Sequence, residues 1–337
     1  SDRETVNISI YNLEQLTAGE LKKYISFDTW WGGLNNIRMT YEMVAAIAVC
    51  TNRTIILPEK IYCLFLSEHQ LKNSFFDFWE LFDKDLFVKH FNCVDYKDIP
   101  EYQKYESDIQ YFEDICKDIK CLPEGNHPNW GVNPDTYNKP IDVSKFDLNN
   151  KFIHFPRNLF GHWYHLITGI SDEHRMRIKY SLKNGLKIRD KYDMVLLDRP
   201  YNAIHVRSGD FHQTRTHSTT ELFGNLRSMV DRYLDTSYPL FIATDEQDRK
   251  HFECLNGYEC YYLNDFMETD MVSSIGIDTL MCANARLFYG SRYSTFTDYI
   301  NVLRYYNNKI DCSKTLLNYT FTGQEKFSWE NSFVEEY

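Results

Sequence analysis

The sequence has no run of about 18 or more consecutive apolar residues, the length of a membrane-spanning helix. Its first residues also lack the basic and then apolar pattern of a secretory leader. Positive charge is scarce, because 37 Lys and Arg stand against 48 Asp and Glu, giving a net charge of −11. This acidic balance argues against a nucleic-acid-binding protein. A phosphorylated small molecule would need a local cluster of arginines and backbone amides.

The sequence also lacks an even number of cysteines. There are nine, so at least one has no disulfide partner within the chain. Cys254 and Cys260 are close enough in sequence to form a bridge, and so are Cys116 and Cys121. The cysteines therefore leave the cellular compartment open.

The hydrophobic and aromatic content of the sequence indicates a large folded core. Hydrophobic residues make up 43% of 337 residues and aromatic residues 16%, and this length suits two domains. We predict an N-terminal domain over residues 1–195, with an irregular insertion at 60–150, and a C-terminal domain over 196–337. Within the insertion we predict helices near 70–83 and 108–118.

The first half opens with a strand–turn–helix–strand pattern. Residues 23–27 and 54–57 are predicted strands, and the apolar residues between them recur with helical spacing. The turn before the helix consists of Gly32, Gly33, Leu34, Asn35 and Asn36. Glycines allow the backbone to approach a ligand closely, and a helix N-terminus offers amides to an anion. The pattern predicts a βαβ unit whose turn faces a ligand, although an ordinary turn has the same sequence features.

Two patterns that suggest a metal site are weak. Asp83-Lys-Asp85 has the form of a metal-binding Asp-x-Asp, but it lies in a polar helical stretch typical of a surface. His162 and His165 are three residues apart and lack a third ligand at suitable spacing. We therefore predict no metal site.

The second half alternates strands and helices, which predicts a doubly wound parallel sheet. Three of its predicted strands end in polar residues that suit a nucleotide diphosphate. The first strand contains His205 and is followed by Arg207 and Asp210, the second is followed by Thr244 and Asp245, and the third leads into Ser294, Thr295, Phe296 and Thr297. Because carboxyl ends of parallel strands share one edge of a sheet, we expect a single crevice there. The alternative is a salt-bridged strand end with ordinary helix caps.

Five motifs in this order resemble the protein O-fucosyltransferase superfamily, which includes α1,6-fucosyltransferases and plant O-fucosyltransferase-like enzymes. They are Gly32-Gly-Leu-Asn-Asn-Ile-Arg38, Asn52-Arg-Thr-Ile-Ile-Leu-Pro58, His205-Val-Arg-Ser-Gly-Asp210, Ala243-Thr-Asp245 and Ser294-Thr-Phe-Thr297. The resemblance implies an α/β GT-B fold, in which two Rossmann-like doubly wound domains face each other across a cleft. It implies inverting transfer of fucose from GDP-fucose to a hydroxyl of a glycan or protein acceptor, with no obligatory metal or other cofactor and no nucleic-acid partner. It also implies the endoplasmic reticulum or Golgi lumen, with the cytoplasm as the alternative.

The resemblance implies two sets of site residues. The catalytic set is Arg207, Asn35, Asn36 and Asp210. The substrate-binding set is Gly32, Gly33, Leu34, His205, Thr244, Asp245, Asp278, Ser294, Thr295, Phe296 and Thr297. Arg207 is expected to contact the pyrophosphate and stabilise departing GDP, His205 to reach the nucleotide or ribose, and Asp245 and Asp278 to lie near guanine. Ser294, Thr295 and Phe296 are expected to line the phosphate and base, and Asn35 or Asn36 to face the sugar and acceptor.

The sequence departs from the superfamily pattern at two positions. Ser208 stands where many relatives have a second arginine, and Gly32 stands where some have a glutamate base. The group that activates the acceptor is therefore unassigned: Asp210 and Glu42 are candidates, and a mechanism without a strong base is a third. Two other functions stay open, namely a GT-B transferase that uses another nucleotide sugar and a non-catalytic nucleotide-sugar or glycan-binding module.

Overall fold

The fold is taken from a computed structural model of the chain. It describes residues 22–27, 33–58, 61–62, 75–99, 119–121, 141–143, 152–155, 167–192, 197–208, 219–291 and 294–307. None of the helices within these ranges is long and apolar enough to cross a membrane.

The first half contains a five-stranded parallel sheet. The described strands of this half, which include the five of the sheet, are β1 (Tyr24–Phe27), β2 (Thr54–Leu57), β3 (Ile61–Tyr62), β4 (Phe75–Phe76), β5 (Cys93–Asp95), β6 (Ile119–Cys121), β7 (Ile141–Asp142), β8 (Phe152–Phe155) and β9 (Ile167–Thr168). The sheet order is β5-β2-β1-β8-β6, while β3 pairs with β4 and β7 pairs with β9 outside it. The helices are α1 (Leu34–Thr51), α2 (Lys84–His90) and α3 (Asp172–Gly185).

Helix α1 joins the two central strands and confirms the predicted βαβ unit. It is buried on almost every side, so its interior position is fixed by apolar packing against the sheet and neighbouring helices. It ends at Asn52, whose φ of 51° lies in the left-handed region that asparagine tolerates better than most residues. The chain then turns directly into the fully buried, β-branched strand β2.

The second half is a four-stranded parallel sheet. Its strands are β10 (Asn202–Val206), β11 (Leu240–Thr244), β12 (Cys260–Tyr261) and β13 (Phe288–Tyr289), and its helices are α4 (Thr219–Tyr233), α5 (Met271–Asn284) and α6 (Thr295–Tyr306). The order β12-β11-β10-β13 places a topological switch between β10 and β13. Ligands bind at such switch points, outside the carboxyl ends of the strands.

The predicted helix at 70–83 is wrong for its described part. Residues 75–76 form β4, and a short 3-10 helix follows at Phe78–Glu80, capped by Asp77. The reason is aromatic packing, because the Phe78 ring stacks on Tyr41 of α1 with centroids 3.9 Å apart. In the second half, Arg249–Leu255 is also a 3-10 helix. The predicted helix at 108–118 lies outside the described residues.

The two halves meet through α1 and α6. The guanidinium carbon of Arg38 lies 4.0 Å from the centroid of the Tyr299 ring, and Phe82 also packs against Tyr299 at a centroid distance of 6.3 Å. One continuous cluster of buried apolar side chains includes residues of both sheets. The helix starts that carry the predicted site residues, at Leu34 and Thr295, are thus on the two helices that join the halves.

Candidate functional site

Three of the predicted site segments converge at the carboxyl edge of the second sheet. Arg207 follows β10 and Asp245 follows β11, whose register pairs Val206 with Thr244. Ser291 lies just beyond β13, and its side chain reaches the backbone on both sides of Val206. The sequence prediction of one shared edge is confirmed by these strand pairings.

Arg207 is held at this edge by backbone and side-chain contacts. Its backbone N–H donates to Ser291 Oγ at 2.8 Å, and that hydroxyl donates to the His205 carbonyl at 3.0 Å. Its Nε lies 3.5 Å from Asp245 Oδ2. The Arg207 side chain is 20% exposed, so a ligand at this edge of the sheet can reach it. A permanently charged, planar donor at this place suits a phosphate.

Asp245 supports the turn that carries Arg207. Its Oδ1 accepts from the Ser208 backbone N–H at 2.7 Å and lies 3.3 Å from the Ser208 hydroxyl. Thr244 adds a second tie, because its hydroxyl donates to the Val206 carbonyl at 2.7 Å. The resemblance implied that Asp245 meets guanine. In the structure its Oδ1 contacts Ser208 and its Oδ2 lies near Arg207 Nε, and the guanine contact stays a prediction.

His205 is buried beneath this turn. Its Nδ1 lies 2.7 Å from Thr297 Oγ1, and its ring packs against Phe296 with centroids 4.5 Å apart. Burial, together with the nearby Arg207 cation, lowers the pKa of His205 to about 3. The imidazole is therefore neutral at ordinary pH.

The start of α6 lies at the same edge of the sheet. Ser294 is its N-cap and accepts the Thr297 backbone N–H at 3.5 Å. The Thr295 and Phe296 side chains are partly exposed, whereas those of Ser294 and Thr297 are buried. The positive end of this helix and its first-turn amides suit an anion. Thr297 faces inward toward His205 rather than into the crevice.

Asp278 lies on α5 and has an unsatisfied oxygen. Its Oδ1 is buried and has no hydrogen-bond partner among the described residues. Burial raises the pKa of Asp278 to about 8. A buried carboxyl group with an unpaired oxygen can accept hydrogen bonds from N–H donors of a ligand. Groups with such perturbed pKa values mark candidate binding sites.

The first turn of α1 provides the candidate residues of the other half. Asn35 is buried and accepts from Arg38 Nε at 3.4 Å, while Leu34 packs in the core. Asn36 is partly exposed, and its Oδ1 is buried with no hydrogen-bond partner in the described part of the chain. Of the two asparagines, Asn36 therefore has the amide group better placed to meet a ligand.

Glu42 is placed less favourably for the role of a base. It forms a buried ion pair with Arg38, with 2.5 Å between Oε2 and the guanidinium nitrogen. Burial raises the pKa of Glu42 above its ordinary value, and the Arg38 cation opposes that rise. Asp210 and Gly32 lie outside the described residues, so their predicted roles stay predictions. No group of three or more His, Cys, Asp or Glu in the described ranges has the arrangement of a metal site.

One supporting residue, Ser291, was not identified from the sequence. Ser291, which fixes the Arg207 backbone, sits one residue after Gly290 in a strand-to-helix turn, and that position was the available signal.

The bridge considered between Cys254 and Cys260 is wrong, because both are free thiols.

The chain matches a known protein family and is similar to solved structures. The family model described as GDP-fucose protein O-fucosyltransferase matches residues 24–307. A crystal structure of POFUT1 in complex with GDP-fucose is similar at 16% identity and a TM-score of 0.50, covering 85% of this chain and 95% of that one. A structure of POFUT1 in complex with GDP gives 15% identity and a TM-score of 0.50, with 85% and 96% covered. A search of curated proteins gave no match.

Proposed function

This chain belongs to the GDP-fucose protein O-fucosyltransferase family, whose activity is fucose transfer from GDP-fucose, and we propose that transfer here proceeds with inversion to a hydroxyl of a glycan or protein acceptor. The predicted GT-B fold is confirmed. One observation carries the proposal for the site: Arg207 and the start of α6 adjoin the same switch point between β10 and β13.

The diphosphate of the donor binds between Arg207 and the first turn of α6. The arginine supplies a fixed cation, and the helix start supplies backbone N–H groups and the positive end of its dipole. Asp245 and Ser291 keep the arginine aimed, since they hold its side chain and its backbone respectively. Two preorganised positive groups then act on one anion.

The base binds near Asp278. The Watson–Crick edge of guanine presents N–H donors, and the unsatisfied Oδ1 of Asp278 is an acceptor for them. Pairing also offsets the cost of burying the carboxyl group, because its Oδ1 gains hydrogen bonds that it lacks in the free protein. This contact favours a guanine nucleotide over a uridine nucleotide.

In the transfer step the bond between the anomeric carbon and the diphosphate oxygen breaks, and its electron pair leaves with GDP. The acceptor oxygen forms its bond to the anomeric carbon from the opposite face of the sugar, and its proton passes to the departing diphosphate or to water. Negative charge grows on the diphosphate, so Arg207 and the α6 amides bind the transition state more strongly than the bound donor. Asn36 orients the sugar and acceptor from the α1 side.

Thermal unfolding with a panel of nucleotides tests the donor. At about 100 times its dissociation constant a ligand adds roughly 2.7 kcal/mol to the free energy of unfolding, which shifts the melting temperature by several degrees. We expect GDP and GDP-fucose to shift it and UDP to leave it unchanged. A shift by UDP of equal size would contradict guanine recognition. Release of GDP from GDP-fucose over time then separates an enzyme from a non-catalytic binder.

A further inference from the structure

His205 is held by a side chain from a distant part of the chain. Its Nδ1 lies 2.7 Å from Oγ1 of Thr297, and both side chains are buried. The imidazole is neutral, since burial and Arg207 lower the pKa of His205 to about 3. A neutral imidazole carries a single N–H, so its tautomer decides which nitrogen donates and which accepts.

The position of Thr297 in α6 decides the direction of this hydrogen bond. A threonine inside a helix often donates to the carbonyl four residues earlier, but for Thr297 that residue is 293, which precedes the N-cap Ser294. The Ser294 carbonyl already accepts the Asp298 backbone N–H at 3.0 Å. Among the described residues, His205 Nδ1 is the acceptor that the Thr297 hydroxyl contacts, and it accepts only if the ring proton is on Nε2.

Gly290 makes the close approach of Thr297 possible. A Cβ atom at residue 290 would overlap the methyl carbon of Thr297 and lie 2.5 Å from its hydroxyl oxygen. It would also lie 2.9 Å from Cζ of Phe288. Any side chain at this position would push Thr297 away from His205. The glycine after β13, the threonine in α6 and the histidine in β10 are therefore packed as one unit.

We propose that Thr297 is a positioning residue, whose hydroxyl donates to Nδ1 of His205 and keeps the imidazole proton on Nε2, where it donates to the diphosphate of the nucleotide sugar. The inference rests on the proposed function, because the diphosphate is the anion that this donor meets. His205 is the penultimate residue of β10 and Arg207 directly follows its last residue, so both lie at the edge of the sheet where the diphosphate is proposed to bind. With the other tautomer, a ring lone pair would face the anion and repel it.

Nuclear magnetic resonance of the full chain with ¹⁵N-labelled histidine tests this inference, because long-range ¹H–¹⁵N spectra distinguish the two neutral tautomers. The His205 signals are those that disappear in His205→Gln. We expect the wild type to show the Nε2–H pattern. Thr297→Val should lose that single pattern and bind GDP about 10- to 100-fold more weakly, as expected for a hydrogen bond to a charged group. Thr297→Ser should restore both the spectrum and the affinity.

Thr51→Val is the matched control. It removes a hydroxyl that donates to the Ile47 carbonyl at 2.8 Å at the far end of α1, and it should change neither readout. An Nδ1–H pattern in the wild type would overturn the inference, as would a Thr297→Val variant with unchanged spectrum and GDP affinity, or a Thr297→Ser variant as weak as Thr297→Val. Thr297→Ala replaces Thr297→Val if the latter does not fold.

The two proposals fail differently in this experiment. If the wild type does not bind GDP, the proposed function is wrong, and the spectra still show whether Thr297 sets the tautomer. If the wild type binds GDP and the tautomer does not respond to Thr297→Val, the positioning role alone is wrong.

Discussion

At the scale of single residues, Arg207 is both accessible and constrained. Its side chain contacts Asp245, while its backbone N–H is fixed by Ser291. The second contact does not involve the guanidinium, so it survives truncation of the side chain. Function and folding can therefore be separated at this position by mutation.

We predict that Arg207→Ala keeps the fold and lowers the rate of fucosyl transfer by about 10²- to 10³-fold, the usual effect of removing one preorganised donor to developing negative charge. Arg207→Lys should recover only a small part, because an ammonium group cannot replace the bidentate fork. Initial rates of GDP release and a thermal melt measure the two effects. Arg249→Ala is the control, since Arg249 pairs with Asp265 at the surface. A full rate in Arg207→Ala would remove the proposed mechanism.

Asp278 gives a prediction about pH. Burial raises its pKa from 3.8 to about 8 in the folded chain, so between these values the folded state holds a proton that the unfolded state releases. Folding stability should fall as pH rises from about 4 to 8 through this group. His205 acts in the opposite direction, because its pKa is lowered from 6.5 to about 3 and its contribution is lost as pH falls below 6.5.

The variant Asp278→Asn isolates the first effect. We expect its stability, relative to the wild type, to improve as pH rises from 4 to 8, and we expect weaker binding of GDP. Urea denaturation at several pH values and calorimetry with GDP provide the measurements. If the difference in stability between the variant and the wild type does not change with pH, burial does not raise the pKa of the Asp278 carboxyl group.

At the scale of secondary-structure elements, α5 packs closely because it contains a glycine. A Cβ at Gly276 would lie 3.0 Å from Cδ1 of Leu81, which follows the 3-10 helix Phe78–Glu80, and 3.0 Å from Cγ of Tyr192, which ends the 3-10 helix Asp190–Tyr192. The absence of a side chain allows this helix of the second half to contact the first half directly. Gly276 therefore contributes to the contact between the halves.

We predict that Gly276→Ala lowers the free energy of unfolding by about 1–3 kcal/mol, as is typical for an overpacked site. Gly224→Ala in α4 makes the same chemical change where no atom of the described residues lies within 4 Å of the added carbon. It should raise stability by about 0.5–1 kcal/mol, because alanine favours a helix more than glycine does. Denaturant titrations of both variants measure their free energies of unfolding. Equal effects of the two substitutions would contradict the packing argument.

At the scale of the whole molecule, the halves are joined by a charged pair beside an aromatic ring. Arg38 and Glu42 are buried together in α1, and the guanidinium lies over Tyr299 of α6. Removing one member of such a pair leaves a buried charge without its partner.

We predict that Arg38→Met lowers stability by about 3–5 kcal/mol, whereas the double variant Arg38→Met, Glu42→Leu recovers much of the loss because no buried charge remains. Tyr299→Leu should cost about 1–2 kcal/mol, the size of a desolvated cation–π contact. Chemical denaturation of the three variants measures these differences. If the double variant is no more stable than Arg38→Met, the loss of stability does not come from the unpaired Glu42 charge.

The sequence predicted most of the second half correctly, because its strands and helices alternate with clear spacing and end in recognisable polar residues. It predicted the place of Arg207 but not its contact with Asp245, since that contact depends on the register between β10 and β11. It also missed the 3-10 helix at Phe78–Glu80, because a cluster of aromatic rings overrides local helical spacing. Long-range packing of this kind has no local sequence signal.

Helix α1 has a consequence for how acceptor preference can diverge among related chains. Because neighbours surround it almost completely, the helix can neither rotate nor slide without disrupting the interior of the first half. The first-turn asparagines therefore keep one orientation, whatever molecule is fucosylated. Under the proposed function, adaptation to a different acceptor would arise in other segments of the site, while Asn35 and Asn36 stay in place.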